Sequence, residues 1–577
     1  ELRRAPSEEA RQAAETKGRT AATALLDTLS RCLATIPIRL EPSSLTLPRL
    51  GPVQLPGDAG AFLFRLEGGV GETRCASAVA SLSAQSGPIE VNVGLPGTTW
   101  VLVGLSAVPA MATSLQIRFR TEEGTLYTLP VEVVTPKSGR LKFAVLSDDT
   151  GKPTPAMVRL VWKMNGVDRK PPGAIEFAQQ FDGQGHASGR RRANLHGKLS
   201  GHYWCIPGPV DMTVPPGEWE VVIRRGTEHV PVFDTFTVAS GEMVERTYRP
   251  RRWTDMGKYG WYSGDDHIHC QVLSEQDAEQ LMAWLQAEDV RLGNILKMGD
   301  INRTWFEQRG FGKPWRVRNE DYILVPGQEC PRTHGELGHT ISLDLTDMVR
   351  DTSKYYLYDW VFDTVHEQGG LSGFAHVNSG IFQVHRGMTL TVVKDQVDFV
   401  EVLQFAQLGT DLYYDFLNLG FEMTASAGSD VPWGGTVGEV RVYAYVGKGR
   451  FTADKWFDAV KAGHTFVTNG PMVEFRVSKA LPGDTIKVTS NKGLHVWAQA
   501  WGDKAFTTPT RLEIVKQGEV IKSVAADNPD VEELEVELEL EPQDGYWLAA
   551  RVQATEGYAA HTTPVYIVRE PLRFWKY

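Results

Sequence analysis

Apolar positions follow different periods in successive stretches of the chain. In residues 7–34, Leu25, Leu26, Leu29 and Leu33 fall at helical spacing in a proline-free segment rich in Ala, Glu and Arg. The pattern predicts an amphipathic helix within residues 1–45, docked on a later domain. Pro37, Pro42, Pro48 and Pro52 end that character, because proline lacks the amide hydrogen that a helix needs. Over 46–136 the period shortens to two, as in Leu115-Gln-Ile-Arg-Phe-Arg120, with Gly and Pro between the runs; this predicts a β-sandwich. Residues 137–252 carry the same signature, with Trp219, Val221 and Ile223 on one face of a strand, and predict a second sandwich.

After Trp253 strand and helix patterns alternate. Ser274 is placed to cap a helix, with Glu275 and Asp277 in its first turn and Ala278, Leu281, Met282 and Leu285 at i, i+3, i+4 and i+7. Strand-like runs at Ile295–Met298, Ile323–Glu329, Gly338–Leu343, Leu371–His376 and Val397–Glu401 follow, with helices predicted near 359–368 and 413–419. Repeated strand and helix with polar groups at strand ends predicts an α/β barrel over 253–471, its chemistry at one mouth. Over 472–577 the pattern returns to β: Leu534, Val536, Leu538 and Leu540 alternate with Glu533, Glu535, Glu537 and Glu539. A C-terminal β-sandwich is expected there, its glutamates a solvated face and not a metal site.

The candidate chemistry begins at Gly264-Asp-Asp-His-Ile-His269. On an extended strand residues i and i+2 share a side, so His267 and His269 can present two imidazoles to one cation. Glu329, His339, His376 and Asp430 stand at later strand ends, with Asp265, Asp300 and Glu401 in reserve. Neutral imidazole with carboxylate suits Zn, Mn or Fe. His385, Arg386, Tyr413, Tyr414 and Trp433 lie close in sequence to those ends and are candidate substrate contacts.

Composition narrows the partners. A net charge of −11 without a basic block argues against nucleic acid, and no apolar run is long enough to span a bilayer. Five cysteines without a Cys-x-x-Cys pair fit neither a disulfide framework nor a structural zinc, and leave room for a single bridge. The chain begins at Glu1 without methionine, which fits removal of a signal peptide or a trimmed start; the expectation leans to a periplasmic or secreted bacterial protein. A homo-oligomer stays open.

Gly264–His269, Gly327-Gln-Glu329, Gly338-His339, Ala375-His376, Val400-Glu401, Gly428-Ser-Asp430 and the run Ala462–Pro471 resemble motifs of the polymerase and histidinol phosphatase (PHP) superfamily, in particular its CehA/McbA-like metallohydrolases. The resemblance covers about residues 253–475 and extends to the preceding β region. It implies a distorted (β/α)7 barrel flanked by β-sandwich domains. His267 and His269 would bind one metal, Glu329 would bridge or bind beside them, and His339, His376 and Asp430 would complete the set. Two departures from the superfamily's pattern, Val431-Pro432-Trp433 after Asp430 and Met298-Gly299-Asp300 at the second motif, favour one or two metals per chain over three.

The expected activity is metal-dependent hydrolysis of an aryl ester or carbamate with metal-bound hydroxide as nucleophile. Asp265 would orient an imidazole, and Asp430 would serve as ligand and proton acceptor. Phosphoester hydrolysis at the same site is the alternative. A non-catalytic binding protein is the reading from another class.

Overall fold

Ser274 caps the helix Glu275–Ala287 as the sequence predicts: its hydroxyl accepts the Asp277 N–H, and the Asp277 carboxylate accepts the Ser274 N–H. Ala278, Leu281, Met282, Trp284 and Leu285 are buried on the inner face. The helix packs on both the strand Tyr322–Thr333 and the preceding β region. In this way Glu288 and Asp289, which follow it, sit between the two.

The computed structural model describes residues 137–569 with short breaks, the longest at 182–189, and the backbone of strands between 35 and 134. The helix expected in residues 7–34 lies outside the described residues. Strands from 35 to 134 form two four-stranded sheets. From 139 to 248 a three-stranded and a six-stranded sheet follow, sharing one core in which Leu141, Phe143 and Val145 meet Leu160, Trp162, Trp219, Val221 and Ile223.

The remaining strands run largely through one 18-stranded sheet. Trp261–Ile268, Leu292–Gly299 and Tyr322–Thr333 pair in parallel. The next two steps, to Gly338–Leu343 and to Leu371–Phe374, are antiparallel, and parallel pairing resumes through Phe399–Gln404 to Thr424–Ala427. Arg441–Tyr445 lies antiparallel both to Trp261–Ile268 and to Thr465–Thr468. Thr465–Thr468 then pairs with Ala559–Thr562, so strands from the C-terminal region extend the same sheet. Apart from it, Met472–Val477, Leu494–Trp501 and Glu533–Leu540 form a three-stranded sheet. In the last of these the glutamates are exposed.

The (β/α)7 barrel is thereby corrected. Among the described residues strand far exceeds helix, a balance that regular alternation of strand and helix does not produce. The described residues contain five α-helices, one of them only four residues long, Met388–Thr391. Where the sequence pattern suggested βα crossovers, Tyr322–Thr333 turns back directly on Gly338–Leu343, and Gly310, Gly312 and Pro314 keep 300–321 to short strands and a 3-10 turn. Periodicity marks a buried strand but not the direction of its neighbour.

Candidate metal centre

His267 is the penultimate residue of the buried strand Trp261–Ile268, and His269 lies one residue beyond its end. Backbone bonds hold the partner loop beside them: the Asp430 N–H donates to the His267 carbonyl at 2.8 Å, and the His269 N–H donates to the Val431 carbonyl at 2.9 Å. Glu329 projects from Tyr322–Thr333 and His339 from Gly338–Leu343, strands paired across a register shift beside Glu329. His376 follows Leu371–Phe374, and its N–H donates to Glu401 at 2.6 Å.

These elements bring all six predicted ligands together. His267 Nε2 and His269 Nε2 are 2.9 Å apart, and Asp430 Oδ1 is 3.4 Å from each. Glu329 Oε2 lies 3.4 Å from His269 Nε2, while Oε1 lies 2.7 Å from His339 Nδ1 and 4.0 Å from His376 Nε2. Two triads result, His267–His269–Glu329 and Glu329–His339–His376, each with ligand atoms within 4.8 Å of one another. Glu329 belongs to both.

The donor set fits a divalent cation. His269 Nδ1 is 3.2 Å from the Leu296 carbonyl, which can only accept, so its proton sits on Nδ1 and Nε2 offers a lone pair. His267 Nδ1 is 3.1 Å from Glu401 Oε1, with the same consequence. With both rings neutral, two lone pairs meet at 2.9 Å between carboxylates, an arrangement that a cation, or a proton on His267, relieves. Burial alone would depress the His267 imidazole, but Asp430, Glu401 and Glu329 outweigh it and push its pKa well up. Burial first, then His339, holds His376 well below the usual histidine range. Burial would raise Glu329, yet His339 and Arg332 hold it well down. His376, Asp430 and Phe306 have φ of 39°, 53° and 58°, left-handed backbone that costs a non-glycine residue about 1 kcal/mol; strain of this kind collects at functional sites.

Other expectations change. Asp265 touches no imidazole: it accepts N–H bonds from His267, Ser429 and Gly438 at 3.1, 2.9 and 2.7 Å, so it pins backbone. Glu401 does the orienting. Beside it, burial and then Glu401 itself push the Asp266 carboxyl well above the carboxylate range. Asp300 closes a turn by accepting from Asn302 and Arg303. Tyr413 is fully buried and donates to the Met423 carbonyl at 2.7 Å, and Tyr414 bonds His561 at 2.6 Å, so both are core residues and not substrate contacts. His385 donates to the Ala375 carbonyl at 3.1 Å, with its ring centroid 6.1 Å from that of His376. Arg386 is exposed. Trp433, 40% exposed, stands edge-on to His269 at 5.4 Å and to Phe306 at 6.0 Å.

Sequence reasoning missed Phe306, stacked on His269 at 5.1 Å, and Arg332, whose Nε is 3.2 Å from Glu329 Oε2. Strand spacing would set Glu329 and Arg332 on opposite faces, and the register shift between them, which the sequence does not announce, brings the two together.

No family of known sequences matches the chain, and no curated protein does. Among solved structures it is similar, faintly, to the major pilin subunit BcpA of Bacillus cereus (10% identity, TM-score 0.14, 27% of this chain and 43% of that one). The minor pilin GBS52 of Streptococcus agalactiae gives 9% identity and a TM-score of 0.17 over 39% of this chain and 96% of that one. The pilus adhesin RrgA of Streptococcus pneumoniae gives 15% identity and a TM-score of 0.11 over 25% and 19%. The chain thus spans less than half the length of the first of these. The comparisons lend no support to the PHP-domain and hydrolase descriptions suggested by the sequence. Among the described residues no helix is long and apolar enough to cross a membrane.

Proposed function

We propose that the protein is a metal-dependent hydrolase of ester-type bonds, a reading carried by the two triads that share Glu329. His267, His269, Glu329 and Asp430 would hold one Zn, Mn or Fe ion, and Glu329, His339 and His376 a second. Such a cation, when bound, lowers the pKa of coordinated water toward ~7 and polarises a carbonyl or phosphoryl oxygen. Asp430, within 3.4 Å of both imidazoles, would take the proton of the attacking water and return it to the departing oxygen, so that ester and water become acid and alcohol. Trp433, 40% exposed beside His269, offers an aromatic face to an aryl leaving group.

Arg332 favours a second reading. A guanidinium 3.2 Å from the shared carboxylate suits a substrate that brings its own negative charge, as a phosphoester does. The test is metal analysis of the purified chain, followed by assay of p-nitrophenyl acetate, methylcarbamate and phosphate with Mn, Zn or chelator. Chelator-sensitive turnover is expected, and absence of stoichiometric transition metal overturns the proposal. Arg332→Met should lower phosphate ester turnover at least ~10-fold, the cost of a lost charged hydrogen bond, and acetate far less. An equal loss on both esters would argue against the phosphoester reading.

A further inference from the structure

The loop between Ala427 and Arg441 carries Asp430 and Trp433, yet Gly428, Gly434, Gly435 and Gly438 leave it few side chains with which to hold its own position. Its anchor lies outside it. Thr436 Oγ1 donates to Glu288 Oε1 at 2.8 Å and accepts from Trp284 Nε1 at 3.0 Å. Arg224, on the strand Gly217–Arg224 of the preceding β region, donates to the same Glu288 oxygen at 3.1 Å. Arg224, Glu288 and Thr436 are each at most 1% exposed. Gly226, at φ +65°, lets the two backbones approach: a Cβ there would stand 2.0 Å from the Glu288 carbonyl oxygen. From the other side Arg441 ties that carbonyl to Gly438, at 3.2 and 2.7 Å. Gly438 in turn donates to Asp265, whose carboxylate also holds the N–H groups of Ser429 and His267.

A buried ion pair is poor evidence of stability, since its desolvation offsets much of its attraction. Fixing one geometry is the better-supported use of such a pair. We propose that the β region of 139–248 is a working part of the metal centre: Arg224 is a positioning residue that acts through Glu288 and Thr436 on the loop bearing Asp430 and Trp433. The inference rests on the metal-binding reading of Asp430 given above.

The test uses the full chain with Thr436→Val, which replaces the hydroxyl with a methyl group, together with Thr436→Ser, Arg224→Met and Arg224→Lys. Amide hydrogen exchange in the peptide spanning 428–440 and Mn affinity by calorimetry are measured on each. Thr436→Val and Arg224→Met should speed exchange in that peptide and weaken Mn binding at least ~10-fold, the scale of an orienting contact around a metal. Thr436→Ser and Arg224→Lys should recover most of both. Wild-type exchange in Thr436→Val overturns the proposal, as does faster loop exchange with unchanged Mn affinity. Should Arg224→Met fail to fold, the Thr436 pair decides. A wild-type chain that binds no Mn, Zn or Fe sinks the metal reading and with it the role in the centre, while the exchange data still report on the tether itself.

Discussion

Glu401 holds the imidazole of His267 through Nδ1 at 3.1 Å, both side chains being fully buried. The same carboxylate accepts the backbone N–H of His376, so one residue outside both triads holds a member of each. Glu401→Gln keeps the shape and can still accept one bond, but it loses the charge that makes the ring a better donor to metal. Metal affinity should fall ~10–100-fold, read by competition with a chromogenic chelator, with little change in far-UV circular dichroism.

Glu329 is the residue common to the two triads. Glu329→Gln should therefore reduce metal content more than His376→Ala, which removes a ligand from one triad only. Elemental analysis after dialysis against a fixed metal buffer provides the count. Equal losses in the two variants would show that Glu329 is not shared.

These two residues mark where the sequence was legible. Period-two spacing placed His267 and His269 on one side of a strand, and the acids and histidines at later strand ends were recognisable because ligand chemistry is confined to few residue types. Glu401 stood among the candidates, but sequence does not distinguish a carboxylate that ligates from one that orients a ligand. Tyr413 lies on a helix whose inner face is set by packing against the C-terminal strands, which local spacing does not reveal. The barrel failed for a related reason: strand direction depends on partners distant in sequence, as the antiparallel steps on either side of Gly338–Leu343 show.

The core position of Tyr413 has a thermodynamic signature. Its hydroxyl donates to the Met423 carbonyl at 2.7 Å. Tyr413→Phe should lower stability by about 1 kcal/mol, the net worth of one such bond, in denaturant titration. Turnover should stay at the wild-type level.

His366 lies half-buried with Nε2 2.8 Å from Asp398 Oδ2, away from the metal ligands. The hydrogen bond to Asp398 raises its pKa above the usual histidine value, against an opposing effect of burial. Because the folded pKa is the higher one, the stabilisation is complete below the unfolded value of about 6.5 and disappears as pH rises through the folded value. The melting temperature gap between wild type and His366→Gln should thus be widest near pH 6 and narrow in alkaline buffer; solvent screening keeps the effect under ~1 kcal/mol.

The sheet that carries the proposed metal ligands continues through Thr465–Thr468 into Ala559–Thr562. A chain cut near residue 471 would leave Thr465–Thr468 with a bare row of amide and carbonyl groups on one side, a template for aggregation. The C-terminal strands therefore act as an edge guard for the sheet beneath the centre, and their loss should appear first as insolubility.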